Sequence, residues 1–103
     1  MLFGLFRNRE VEEAGKAMAE RFAKRFPPEL QDDDRPGAAQ KRESAMSGIY
    51  SEVGDLRKRA KLGVLGKATL ANTLKWSLKE RGYRPDVIKQ VVYDMLFHIA
   101  GRK

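Results

Sequence analysis

The residues best placed to do chemistry in this chain are cations. Arg57, Lys58, Arg59 and Lys61 lead into the glycine-flanked turn Gly63-Val64-Leu65-Gly66, which Lys67 follows. A helix starting after that turn would present free backbone N–H groups and a partial positive charge, a setting that holds phosphate. Against this, cations beside a helix C-terminus are favourable in their own right. Further on, Lys75 and Lys79 flank Trp76, the one tryptophan of the chain. An indole among lysines can stack on a nucleic-acid base while the lysines meet phosphate. The alternative is that Trp76 fills a second packing surface, as aromatic side chains commonly do.

These cations sit in a lopsided charge pattern. Residues 1–54 carry nine Lys/Arg against ten Asp/Glu, and residues 55–103 carry twelve against four. The two halves are therefore −1 and +8, which gives the net +7. A basic half of that kind points to a polyanionic partner.

Several chemistries are excluded or disfavoured. There are no cysteines, so disulfides, thiolate catalysis and Cys-based zinc sites are out. A nucleotide-binding P-loop needs glycine where Lys61 stands and Ser or Thr where Ala68 stands. The Gly-x-x-Gly of residues 63–66 is shared with the backbone-clamping loop of KH domains, which also need strands. His98 is the only histidine; Asp94 lies one turn before it, but no nucleophile is identifiable beside them. A structural histidine is expected. Ser44, Ser47, Ser51 and Ser77 form no recognisable motif, and no metal or cofactor site is expected.

Hydrophobic periodicity predicts an all-α, single-domain bundle of about four helices, over residues 9–26, 37–62, 67–81 and 86–100. In the first, Val11, Gly15, Met18, Phe22 and Phe26 form a narrow stripe that Pro27 and Pro28 terminate. Residues 27–36 read as a solvated linker whose Asp32, Asp33 and Asp34 suit an acidic turn or helix cap better than a cation site. Met46, Ile49, Val53, Leu56 and Ala60 form a heptad-like seam in the second helix, with Gly48 and Gly54 off the stripe. Gly63 is the expected stop after Leu62. Pro85 opens the fourth helix, while Gly82 and Gly101 follow the third and fourth. Helices two, three and four are expected at the centre, with the first packed across them.

In the third helix Leu70, Ala71, Leu74 and Leu78 share a face that Trp76 opposes. The fourth carries Val87, Ile88, Val91, Val92, Met95, Leu96 and Ile99 around half its circumference, with Tyr93 and Phe97 on the other side. Those two aromatics could join Trp76 in a partner or homodimer contact. Helices three and four also resemble a helix-turn-helix reader, but only Lys89, Gln90 and Asp94 offer base-reading groups on the second. The stretch Leu78–Ile88 resembles the helix-turn-helix repeats of RecX-type recombination regulators. This chain is too short for their tandem repeats, so no residue role is taken from that likeness.

Residues 1–8 form an apolar N-terminal segment in which Leu2, Phe3, Leu5 and Phe6 precede Arg7 and Arg9. They are too few for a membrane span. Packing on the core is expected, with a shallow membrane or partner contact as the alternative. No cleavable signal is read, so the expected location is cytoplasmic. The expected function is non-enzymatic binding of RNA or DNA through the phosphates, with little sequence preference. The contacts would be Arg57, Lys58, Arg59, Lys61, Lys67, Lys75, Trp76 and Lys79. The alternative is a helical protein-interaction module, a regulator or adaptor, or a peripheral membrane protein.

Overall fold

Four stretches of helical periodicity become four α-helices. The computed structural model describes the backbone of residues 3–59 and 62–101 and the side chains of residues 9–59 and 62–101. Helices α1 (Phe3–Arg25), α2 (Pro36–Arg59), α3 (Val64–Glu80) and α4 (Pro85–Ile99) are joined by short connections, and the first connection contains a 3₁₀ turn, Pro28–Leu30. Among the described residues there is no strand.

The boundaries depart from expectation in three places. Helix α1 begins at Phe3, six residues earlier than the apolar stripe implies, because no proline interrupts residues 3–10 and extending a nucleated helix is cheap. Helix α2 is helical to Arg59, and Leu62 lies outside it. Leu62 instead turns inward against the core, its Cδ2 being 3.2 Å from where a Cβ on Gly66 would stand. Helix α3 therefore starts at Val64, and Gly63 is its N-cap rather than the stop of α2. The predicted turn glycine Gly66 is buried inside the first turn of α3.

One contiguous core draws on all four helices. Met18, Phe22, Ile49, Val53, Leu56, Leu70, Leu74, Leu78, Val91 and Met95 are fully buried in it. Helix α1 packs chiefly on α3 and α2, and α4 packs chiefly on the same two. The first helix is thus an equal wall of the bundle, not a cover laid over the other three. Gly15 explains how it gets so close. A Cβ there would stand 2.9 Å from Cβ and Cγ2 of Thr73 and 3.4 Å from the Leu74 backbone nitrogen.

Three mid-helix glycines, Gly15, Gly48 and Gly54, therefore carry opposite predictions. At Gly48 and Gly54 an added Cβ meets nothing within 4 Å, and α2 runs unbroken through both. Alanine at each is expected to raise stability by about 0.5–1 kcal/mol through helix propensity. Gly15→Ala must push α1 and α3 apart and is expected to cost about 1–3 kcal/mol by overpacking. Urea denaturation of the single variants checks the signs.

The turn between α3 and α4 sets the angle of the two helices that matter below. Gly82 takes φ +101°, and the amides of Gly82 and Tyr83 donate to the carbonyls of Lys79 and Leu78 at 3.1 and 3.2 Å. That is a Schellman ending, which favours glycine at the left-handed position. The residues expected to be a solvated linker brace this turn. The Gln31 side-chain amide donates to the Gly82 carbonyl at 3.1 Å and accepts from the Arg84 amide at 2.6 Å. The Arg84 guanidinium pairs with Asp32 and Asp86. Asp33 turns back onto Arg35, whose guanidinium holds its carboxyl down at about 2. Two of the three aspartates thus meet arginines within the chain.

Tyr83 fastens the turn to the end of α1. It is buried, edge-on to Phe22 at 5.5 Å, and its hydroxyl donates to the Phe26 backbone carbonyl. Burial pushes its phenol up to about 12. An unfolded phenol ionises near about 10, so above that pH the unfolded chain loses a proton that the folded chain keeps. This contribution is intact below about pH 10, and about 2–3 kcal/mol of it is lost as pH rises through about 12. Tyr83→Phe is expected to flatten that alkaline slope in denaturation curves, leaving the slope from Tyr50, which burial also raises. At neutral pH the same change costs about 1–3 kcal/mol, because the Phe26 carbonyl loses its donor.

Candidate binding interface

Helix α3 separates its two faces sharply. Leu70, Leu74 and Leu78 are fully buried, while Lys75, Trp76 and Lys79 are exposed on the other side. Trp76 is 48% exposed and does not enter the core. Lys79 Nζ lies 4.8 Å and Lys75 Nζ 5.7 Å from the indole centroid, both within cation–π reach. Of the two expectations for Trp76, packing inside the bundle is not what the ring does.

Helix α4 faces this edge. Tyr93 and Phe97, one turn apart, are 61% and 51% exposed and stack on each other at 6.0 Å. Among the described residues no aromatic contact joins them to Trp76. Between the two helices runs a furrow of about 530 Å³. Its floor is Ile88, Val92 and Leu96, and Tyr83 and Pro85 also line it. Lys75 and Lys79 line it from α3, and Lys89 and Tyr93 line it from α4. All four of these residues are exposed, so they form two rims over an apolar floor. With Val64 and Leu65, the aromatics Trp76, Tyr93 and Phe97 are the large apolar side chains the described surface exposes, and all lie on α3 or α4.

Among the described residues the rim lysines make no ion pair. The ion pairs among the described residues use arginines: Arg21 with Glu52, Arg35 with Asp33, Arg59 with Glu10, and Arg84 with Asp32 and Asp86. None involves Lys75, Lys79 or Lys89. Arg21, Arg59 and Arg84 thus tie elements together, whereas the furrow's lysines make no ion pair among the described residues.

The cations predicted from sequence do not form one surface. Arg57 and Lys58 are exposed in the last turn of α2, where they suit the helix dipole. Arg59 is tied to Glu10 of α1 at 3.1 Å. Lys61 lies outside the described residues. Lys67 closes the first turn of α3, its amide donating to the Gly63 carbonyl at 3.0 Å, and the free N–H groups of that helix start belong to the residues before it. Eight residues separate it from Lys75, which is roughly 12 Å along the helix and about 80° around it. Only Lys75, Trp76 and Lys79 stay together, and the furrow joins the two lysines to Tyr93. Leu2 lies outside the described residues, as do the side chains of Phe3, Leu5 and Phe6.

Lys89, Ile88, Val92 and Leu96 were legible individually but not as a site. Lys89 and Tyr93 repeat on α4 the four-residue spacing that Lys75 and Lys79 have on α3, a signal that gains meaning only once the helices are neighbours. His98 is exposed and stacks on Tyr50 at 4.3 Å, while Asp94 accepts from Gln90 at 2.9 Å. That bond also occupies two of the three groups a groove-reading helix would use.

No protein family, curated protein or solved structure matches this chain. No helix among the described residues is long and apolar enough to cross a membrane.

Proposed function

We propose that the protein is a small, non-enzymatic, cytoplasmic binding module whose α3/α4 face takes an acidic macromolecule. One observation carries this reading: an apolar furrow rimmed by Lys75, Lys79 and Lys89, none of them neutralised within the described chain. Uncompensated cations beside exposed aromatics supply both the steering field and the contact area that binding needs. Two occupants suit different parts of the face. A single strand of RNA or DNA is favoured by Trp76, exposed between two lysines as a stacking platform would be. An acidic protein segment is favoured by the floor of Ile88, Val92 and Leu96, which phosphate and sugar do not cover.

Trp76 is the only tryptophan, so its emission reports on this face alone. Titration with poly-glutamate and with a single-stranded oligonucleotide, at about 20 and about 200 mM salt, is expected to perturb Trp76 with at least one of them. The affinity should fall steeply with salt, as charge-driven association does. Absence of binding by either polyanion at low salt, or binding that leaves Trp76 emission unmoved, would contradict the reading.

A further inference from the structure

We infer that the furrow between α3 and α4 is a docking site for an acidic amphipathic α-helix of a partner protein. The inference rests on the proposed function and names the partner's chemistry. Its first support is the two-part character of the surface. The floor of Ile88, Val92 and Leu96 is apolar, and the rims above it are cationic on both sides, Lys75 and Lys79 opposite Lys89. A ligand matching this must present an apolar stripe with negative charge along both of its edges. A helix with apolar residues at the a and d positions and Glu at e and g has that layout.

The spacing agrees. Lys75 and Lys79 are one helical turn apart, about 6 Å, as are Lys89 and Tyr93 on the other rim. Glu at e or at g recurs every seven residues along its edge, about 10 Å, so one edge carboxylate falls opposite each such pair. Two adjacent helices also form the groove into which a third packs, at roughly 8–10 Å between axes. Tyr93 stands exposed on the groove's rim with Phe97 stacked on it, residue types that anchor such contacts.

Other occupants match less of the surface. A second copy joined through the same face would set lysines against lysines, which is repulsive. Of the chain's own acidic stretch, Asp32 and Asp33 already pair with Arg84 and Arg35. A nucleic-acid strand would satisfy the lysines but leave the floor wet.

The test uses three labelled helical peptides of about 21 residues, three heptads. The first has Leu at a and d and Glu at e and g; the second replaces that Glu by Lys; the third keeps Glu and replaces Leu by Ala. Anisotropy with the full chain is expected to show the first binding, and the other two weaker by at least about tenfold. Val92→Glu should remove binding, and Tyr93→Glu, on an exposed rim, serves if Val92→Glu unfolds by circular dichroism. Equal binding of the Leu and Ala peptides would overturn the inference, since charge alone would then suffice. So would equal binding of the Glu and Lys peptides, or no binding of the first. If none binds while polyanions still move Trp76 emission, the helix is wrong and the broader reading stands. If both fail, both are wrong.

Discussion

Phe22→Ala is expected to remove a large share of the stability of this protein. Phe22 is fully buried on α1 and meets Phe26 edge-on at 5.8 Å and Tyr83 at 5.5 Å. Truncating a buried phenylalanine costs about 3–5 kcal/mol, from lost transfer energy and the cavity left behind. Here the cavity would open under Tyr83, whose hydroxyl holds the Phe26 carbonyl where α1 gives way to Pro27. The turn between α3 and α4 would lose its anchor as well as its packing. A domain of this size has about 5–15 kcal/mol in total, so the variant should unfold far earlier in urea with an unchanged slope. Phe22→Leu, keeping most of the volume, should cost less than half as much. A loss below about 1 kcal/mol for Phe22→Ala would mean that this corner does not hold the helices together.

The second large effect is on binding. Lys75→Glu combined with Lys79→Glu is expected to weaken association with any acidic ligand by at least about a hundredfold at low salt. Both side chains are exposed on the α3 rim, so the fold should survive the change. Glutamate and lysine have similar helix propensity, and a new acid near the C-terminus of α3 costs only a few tenths of a kcal/mol. The swap removes two attractions and adds two repulsions at one rim. Replacing both by Gln removes the attraction alone and should fall between. Reversing Arg57 and Lys58, exposed in the last turn of α2, should have a much smaller effect, because they lie away from the furrow. Equal losses from the two reversals would show that net charge, not this face, drives association.

How far the sequence could be read follows from what each signal depends on. The leucine spacing of α3 and the apolar half of α4 are local patterns that put most of their side chains inside, although Val92 and Leu96 of that half are only partly buried. Trp76 was legible as off that stripe, because a 100° rotation per residue needs no tertiary knowledge. Other features depended on the chain returning. Leu62 leaves α2 because it packs against Gly66. In sequence Gly15 is one member of a stripe, and only the approach of Thr73 gives it a reason. The linker looked solvated because Gln31 and Asp32 are polar, yet they brace a turn about fifty residues away in sequence. The furrow was not legible at all. It exists only where α3 and α4 lie side by side, and its floor reads locally as ordinary core. The charge run at residues 57–61 is the densest in sequence, whereas the lysines with the clearest shared setting are spread over α3 and α4.

On the proposal made here, the face of α3 and α4, rather than the bundle's charge at large, receives an acidic partner. Backbone amide chemical-shift mapping tests it most directly, with the acidic Leu/Glu peptide or poly-glutamate added to saturation. The predicted result is a cluster of shifts at Lys75, Trp76, Lys79, Lys89, Val92 and Tyr93, with α1 and the last turn of α2 unmoved. Shifts gathered at Arg57 and Lys58, or scattered evenly over every lysine and arginine, would contradict it.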